Sequence, residues 1–548
     1  MEPTIYLRAR IHSTAGRLPD ADALVEVGGR LLAVGRADHL LAAYPRARRV
    51  DLLGLPVFPG LIDAHIHFVS YGLGLLQIDL RGSRSIAEAA TAIARAVGDR
   101  PALAGQGRDR WILARGWDKN LWREDRFPTR HDLDPVTGDR PAACSSKDGH
   151  LLWVNTAALR AAGVTRDTPD PPGGVIGRDE SGEPDGLLKE EATGLVHRVI
   201  PPPSSEMREQ AALTASAALH RLGVTAVHNF TGAAPEGSDN FLALQRLAAH
   251  GRLTMRAVCC LPERVLDHAA ACGLRTGFGD AMVRVGPLKI FADGTLGSQT
   301  ASMLEPYEGQ PQNRGIAVRA EQELHDLVGR AVEAGLWCAI HAIGDRANRA
   351  VLDAFEAHRS ASQRIGARHR IEHVQVLHPD DLPRLAHLGV IASMQPIHAT
   401  ADRDIADRYW GARARWAYAF RSLADTGAVL AFGSDAPVET PDPWRGVYAA
   451  VARKREDEPH RPAWYPQQCL TLEEAFRAYT VGPAYAAGTE AWQGTLAAGQ
   501  VADFIVLDRD PYAGPPEDLL RVGVLATVVD GRVVHATGPL AGLQTSVS

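Results

Sequence analysis

Lysine is nearly missing from this chain. Of its 59 basic residues only five are lysine, Lys119, Lys147, Lys189, Lys289 and Lys454, so each survivor asks for a reason. Cysteine is sparse as well. The six, Cys144, Cys259, Cys260, Cys272, Cys338 and Cys469, show no Cys-x-x-Cys spacing, which argues against a disulfide framework or a zinc knuckle and fits reduced structural thiols. No apolar run is long enough to span a bilayer, and the start, Met1-Glu2-Pro3-Thr4-Ile5-Tyr6-Leu7-Arg8, lacks the basic-then-apolar layout of a signal peptide. A cytoplasmic protein with no membrane partner is expected. The formal net charge of -6 contains no dense basic run, so nucleic acid is not an expected partner either. A small-molecule substrate is, and self-association into a homo-oligomer stays open.

What the chain does have is Phe58-Pro59-Gly60-Leu61-Ile62-Asp63-Ala64-His65-Ile66-His67-Phe68. Side chains on a strand alternate with period two, so His65 and His67 share a face while Ile66 points into the opposite layer. Two imidazoles at that spacing suit zinc and similar ions, although an isolated His-x-His is also found as a surface or core pair. The rest of the chain must decide. Its 548 residues can bury a large core and suggest more than one domain.

Short β-rich segments occupy both ends, residues 1–58 and 490–548, and are expected to join in one small β-sandwich domain. Between them, over 59–489, apolar strands alternate with helical spacing. After the His-x-His strand come Thr225–Asn229, Met255–Cys260, Leu288–Phe291, Cys338–His341, Arg370–Val374, Val390–Met394 and Val429–Phe432. With the first strand this makes eight, and stretches such as Glu206–Leu222 and Glu321–Ala334 have helical periodicity between them. A (β/α)₈ TIM barrel is the economical architecture. A Pro- and Trp-bearing region over 85–200 breaks the rhythm and is read as an insertion after the first barrel strand.

Active sites of such barrels lie at the carboxyl ends of the strands. His341 ends the fifth strand, His373 the sixth, and Asp435 follows the eighth in Gly433-Ser434-Asp435-Ala436-Pro437. Individually, His341 or His373 could be a satisfied core histidine; their joint occurrence at one rim favours a metal site. Lys289 lies in the fourth strand, where an ammonium beside cations would be repelled and desolvated. A neutral amine there can instead take up carbon dioxide as a carbamate, an anionic ligand able to bridge two metals; pairing with Asp293 is the competing reading. Alternation sends Glu372 away from His373, into the outer layer. His228 is read as structural, and Ser434, outside any Gly-x-Ser-x-Gly elbow, as an orienter of Asp435.

These residues resemble the amidohydrolase superfamily of metal-dependent hydrolases, in the branch of N-substituted formamide deformylase-like proteins. The resemblance rests on Pro59 to His67, Lys289-Ile290-Phe291-Ala292-Asp293-Gly294, His341-Ala342-Ile343-Gly344-Asp345-Arg346, Ile371-Glu372-His373, Gly433-Ser434-Asp435-Ala436-Pro437-Val438, Ala502-Asp503 and Gly531-Arg532-Val533-Val534. It implies one or two divalent ions, zinc foremost. In the two-ion form His65, His67 and Asp435 hold the first, His341 and His373 the second, and carbamylated Lys289 bridges.

The chemistry implied is hydrolysis of a non-peptide carbon–nitrogen bond by metal-activated hydroxide, with Asp435 moving the proton. An N-substituted formamide is one such substrate. The same site would serve an esterase, lactonase or deaminase, and a scaffold that lost its chemistry is the non-enzymatic alternative. Substrate contacts are sought in the insertion, at Trp117, Lys147 and His150 in the stretches Ala114–Trp122 and Ser145–Asn155, and at the rim residues Gln299, Arg346, Gln395 and Trp410. Trp117, Trp122 and Trp153 are equally readable as the insertion's own core.

Overall fold

Parallel strands buried on both faces read as continuous apolar runs and need helices outside them. Eight such strands make one sheet in sequential order. In the computed structural model, which describes residues 2–13, 16–98, 110–147, 149–230 and 237–546, they are β1 (Leu61–Ile66), β2 (Val224–Asn229), β3 (Arg256–Pro262), β4 (Val283–Phe291), β5 (Cys338–Ala342), β6 (Arg370–His373), β7 (Ile391–Met394) and β8 (Leu430–Phe432). Every neighbouring pair is parallel. The ring closes just beyond β8, where the Asp435 amide donates to the His65 carbonyl at 2.7 Å and the His67 amide to that of Ala436 at 2.9 Å. A side chain at Gly433 would bring a Cβ within 2.3 Å of the His65 nitrogen, so glycine permits this seam. Helices such as Glu321–Glu333 and Asp345–Ala357 bury Leu324, Val328, Val351 and Phe355 against the strands. The expected barrel is therefore present.

The chain divides into two compact units. The first, Met1–Tyr71 with Ala215–Ser548, holds the barrel and the two ends; the second is Gly72–Thr214. In the first unit, one six-stranded sheet interleaves both ends, with Phe504–Leu507 antiparallel to Pro56–Pro59 in the register Phe504 to Pro59. A four-stranded sheet from Thr4–Leu7, Ala23–Val27, Arg30–Gly35 and Arg48–Asp51 lies with it. Tyr6, Ile11, Leu24, Val57, Phe504 and Val528 share their core. The Ala502-Asp503 element ties this region to the barrel, since Asp503 accepts from buried Arg256 of β3 at 2.7 and 2.9 Å and from the Asp530 amide at 2.9 Å.

The second unit contains the expected insertion and is built on a six-stranded mixed sheet including Ile112–Trp117, Ala142–Ser146, Leu151–Val154 and Pro184–Glu190. Trp117, Trp122 and Trp153 meet in its core, Trp117 stacked on Trp122 with ring centroids 5.3 Å apart. Trp117 is 1% exposed and its indole N–H donates to the Cys144 carbonyl at 2.7 Å. It is a core side chain and not the substrate contact expected from its aromatic surroundings. Trp410, expected at the barrel rim, is likewise a buried core residue. All six cysteines are free, four of them buried. No helix among the described residues is long and apolar enough to cross a membrane.

Candidate metal centre

The carboxyl ends of β1, β5 and β6 and the turn after β8 bring His65, His67, His341, His373 and Asp435 together. Among the described residues, donor atoms of His65, His373 and Asp435 lie within 4.8 Å of one another. His67 Nε2 stands 3.2 Å and His65 Nε2 3.6 Å from Asp435 Oδ1. The His341 and His373 rings are 4.6 Å apart. Two of these residues hold backbone conformations that side chains rarely adopt, His373 with φ +77° and Asp435 with φ +58°. Such conformations cost of order 1–3 kcal/mol each and persist where surrounding structure enforces them, often at functional sites.

The imidazoles are fixed from behind. His65 Nδ1 donates to Glu372 Oε2 at 2.6 Å, His67 Nδ1 to the Phe230 carbonyl at 3.1 Å, and His373 Nδ1 to Gln395 Oε1 at 2.8 Å. A proton on Nδ1 leaves the Nε2 lone pair free, which is how histidines that bind cations are commonly held. His341 is turned the other way, its Nε2 donating to the Gly294 carbonyl at 2.9 Å, which leaves Nδ1. Burial depresses the pKa of His65 to about 4 and that of His341 to about 3, with Lys289 adding to both, so these rings are neutral and able to coordinate. Burial pushes Asp435 up, but its close contact with His67 and the neighbouring His65, His373 and His398 outweigh it and hold the carboxyl well below its usual range. Neutral imidazoles and an ionised carboxylate are a donor set that fits zinc.

Lys289 is 3% exposed in β4, its Nζ 4.9 Å from the Phe230 ring centroid and 4.8 Å from that of Phe291. Desolvation lowers its pKa. The competing partner, Asp293, is engaged elsewhere, accepting from the amides of Ser302, Ile343 and Gly344 at 2.8–3.0 Å.

Several expectations are corrected. Glu372 does not face the outer layer: the left-handed backbone at His373 and at Val374 (φ +45°) breaks the alternation, so Glu372 points into the barrel while His373 reaches the rim. There it also accepts from Arg370 Nε at 2.6 Å, and Arg370 in turn reaches His228 Nδ1 at 2.8 Å, the Ala64 carbonyl and Ser393. His228 is thus part of a buried polar plug. Ser434 acts on the turn that carries Asp435 and not on its carboxylate: its hydroxyl donates to Asp63 Oδ2 at 2.6 Å and accepts from the Ala436 amide at 3.0 Å. Gln395 stands behind His373, where its carbonyl oxygen accepts from the ring.

Gln299 is half-buried in the loop after β4 and accepts from Gln310, and Arg346 is exposed, 3.8 Å from Glu321. Lys147 and His150 lie exposed on the second unit, His150 paired with Glu190 at 2.8 Å, and Asp148 between them lies outside the described residues. Sequence reasoning missed Arg370 and His398. Arg370 and Glu372, opposite charges two apart on an apolar strand, carried a signal for a buried pair. His398, in the helix Pro396–Ala401, carried none.

Residues 48–535 match the Amidohydrolase family. The chain belongs to that family and is a hydrolase of the metal-dependent type. It is similar to the protein LONG AFTER FAR-RED 3 of Arabidopsis thaliana, 34% identical over 96% of this chain and 90% of that protein. It is also similar to N-substituted formamide deformylase of Arthrobacter pascens, 29% identical over 97% and 98% of the two chains. Among solved structures, an uncharacterized metal-dependent hydrolase of Pyrococcus furiosus superposes with a TM-score of 0.77 at 30% identity, covering 93% of this chain and 99% of the other.

Proposed function

We propose that this chain hydrolyses a non-peptide carbon–nitrogen bond of a small molecule, with N-substituted formamides the first substrates to try. The observation that carries the reading is the set of three imidazoles whose Nδ1 atoms are held from behind while Nε2 is left for a cation beside Asp435. His65, His67, His373 and Asp435 would hold one divalent ion, with His341 and a modified Lys289 available to a second. A zinc ion bound there supplies Lewis acidity and lowers the pKa of water from about 15.7 toward about 7.

The remaining work falls to the protein's own side chains. Asp435, kept ionised by its histidine neighbours, accepts a proton from the attacking water and returns it to the departing nitrogen. Glu372, Gln395 and the Phe230 carbonyl keep the three rings from turning. Burial favours the neutral amine of Lys289, whose attack on carbon dioxide forms one N–C bond and releases one proton, leaving an anionic carbamate. The similarity to a formamide deformylase along nearly the whole chain supports the bond class. The six unpaired thiols suit a reducing cytoplasm. Nucleic acid and membrane have no part in this reading, and a homo-oligomer is compatible with it.

Purified, metal-loaded protein offered a panel of N-substituted formamides, acylated amines, esters, lactones and aminated heterocycles should release amine from the first two groups. Turnover confined to esters and lactones, or ammonia released from the heterocycles alone, would overturn the amide reading.

A further inference from the structure

The two oxygens of Asp435 face different neighbours. Oδ1 is turned to His67 and His65, while Oδ2 faces the Nε2 of His398 across 4.0 Å. That gap is too long for a hydrogen bond. His398 is 7% exposed, and its Nε2 is a buried polar atom without a hydrogen-bond partner among the described residues. Leaving such an atom unpaired is ordinarily costly, so its retention asks for a partner that arrives later.

The position is fixed by its surroundings. Pro396 opens the helix directly after β7, and Pro396, His398, Ala399 and Thr400 are all buried. Asp402, one turn on, is committed to the Tyr418 hydroxyl. The His398 ring lies nearly parallel to that of His373, at 11°, but its centroid is 6.3 Å away, against 5.0 Å from His65 to His373 and 4.6 Å from His341 to His373. His398 thus borders the donor set without joining the group that shares a 4.8 Å neighbourhood.

We propose that His398 is a further catalytic residue, which donates a hydrogen bond from Nε2 to the substrate's carbonyl oxygen as that oxygen becomes negative. This rests on the hydrolytic reading above but not on its amide bond, since esters and lactones develop the same oxyanion. When water adds to the carbonyl carbon, the C=O π pair moves onto oxygen and the water's proton goes to Asp435. Asp435 is then neutral and no longer repels the charge forming beside it, and His398 faces that charge from across the gap. On collapse the oxygen pair re-forms the carbonyl, the bond from carbon to the leaving atom breaks with its electron pair passing to that atom, and Asp435 returns the proton there. Removing one donor of this kind commonly costs about 10²–10³-fold in kcat.

The test compares wild type with His398→Phe, which keeps a planar ring and removes the donor, and His398→Gln, which restores an N–H near the same reach. With whichever substrate wild type hydrolyses best, kcat should fall about 10²-fold in His398→Phe, KM should change only a fewfold, and His398→Gln should recover at least a tenfold share of the loss. Methylphosphonate, a tetrahedral anion, should bind metal-loaded wild type at least tenfold more tightly than His398→Phe by calorimetry. Metal content should be equal in all three proteins. Loss of metal in His398→Phe would make His398 a ligand instead. Equal kcat and equal methylphosphonate affinity, or equal damage in both variants with lowered melting temperatures, would also overturn the proposal. A wild type that hydrolyses esters but no amide would sink the amide reading and leave this comparison intact.

Discussion

His65 and Glu372 are joined across the barrel interior by a 2.6 Å hydrogen bond between Nδ1 and Oε2, and both side chains are almost wholly buried. The bond ties β1 to β6 and fixes which nitrogen of His65 faces Asp435. Burial pushes Glu372 up, but Arg370 and His65 outweigh it and keep the carboxylate ionised. The His65 ring therefore has a strong acceptor behind it.

Glu372→Gln keeps an oxygen behind His65 but removes the charge, so metal affinity should fall about 10–100-fold. The melting temperature should drop as well, because Arg370 is left as a buried cation without its carboxylate. Chelator competition and thermal unfolding measure the two effects. Unchanged affinity would show that His65 does not depend on this contact.

Asp435→Asn retains the volume and one ligand oxygen but cannot accept a proton. Hydrolysis should fall by about 10²–10⁴-fold while much of the metal stays bound. Activity within a fewfold of wild type would mean that another group moves the proton.

The clustered histidines and Asp435 were legible because they stand at or just beyond the ends of strands, which barrel topology gathers at one rim. His65, His67, His341, His373 and Asp435 are reached that way from positions far apart in sequence. Period-two alternation misplaces Glu372, because the left-handed residue after it ends the alternation, and no pattern in the sequence marks His373 as that residue. Trp117 was ambiguous for another reason: a packed indole and a pocket wall have the same composition, and only burial tells them apart. His398 lies on a short helix of six residues that alternation does not reach, and its relation to Asp435 arises from tertiary packing.

Lys289→Ala should be inactive and partly rescued by short carboxylates that occupy the vacated place. Intact mass spectrometry under native conditions should find carbon dioxide on the wild-type lysine. An unmodified amine in active, metal-loaded enzyme would exclude the carbamate.

Away from the centre, His220 and His369 are buried with pKa values pushed by desolvation from the ordinary 6.5 to about 4 and about 3. Both stay neutral in the fold and gain a proton on unfolding below pH 6.5, so their contribution is complete above that pH. Metal-free protein should lose stability as pH falls from about 6.5 toward about 4, with a limiting slope of about 1.4 kcal/mol per pH unit for each group. Denaturant unfolding across that range checks it, and His369→Phe should flatten the slope if it folds; a slope unaltered in that variant would contradict the assignment.

Elemental analysis of wild type beside His65→Ala and His67→Ala, with activity measured on the same samples, bears most directly on the metal centre. Wild type should carry one or two equivalents of a divalent transition metal, and both variants should lose metal and activity together while circular dichroism stays that of the folded barrel. Full metal content in both variants would contradict the account.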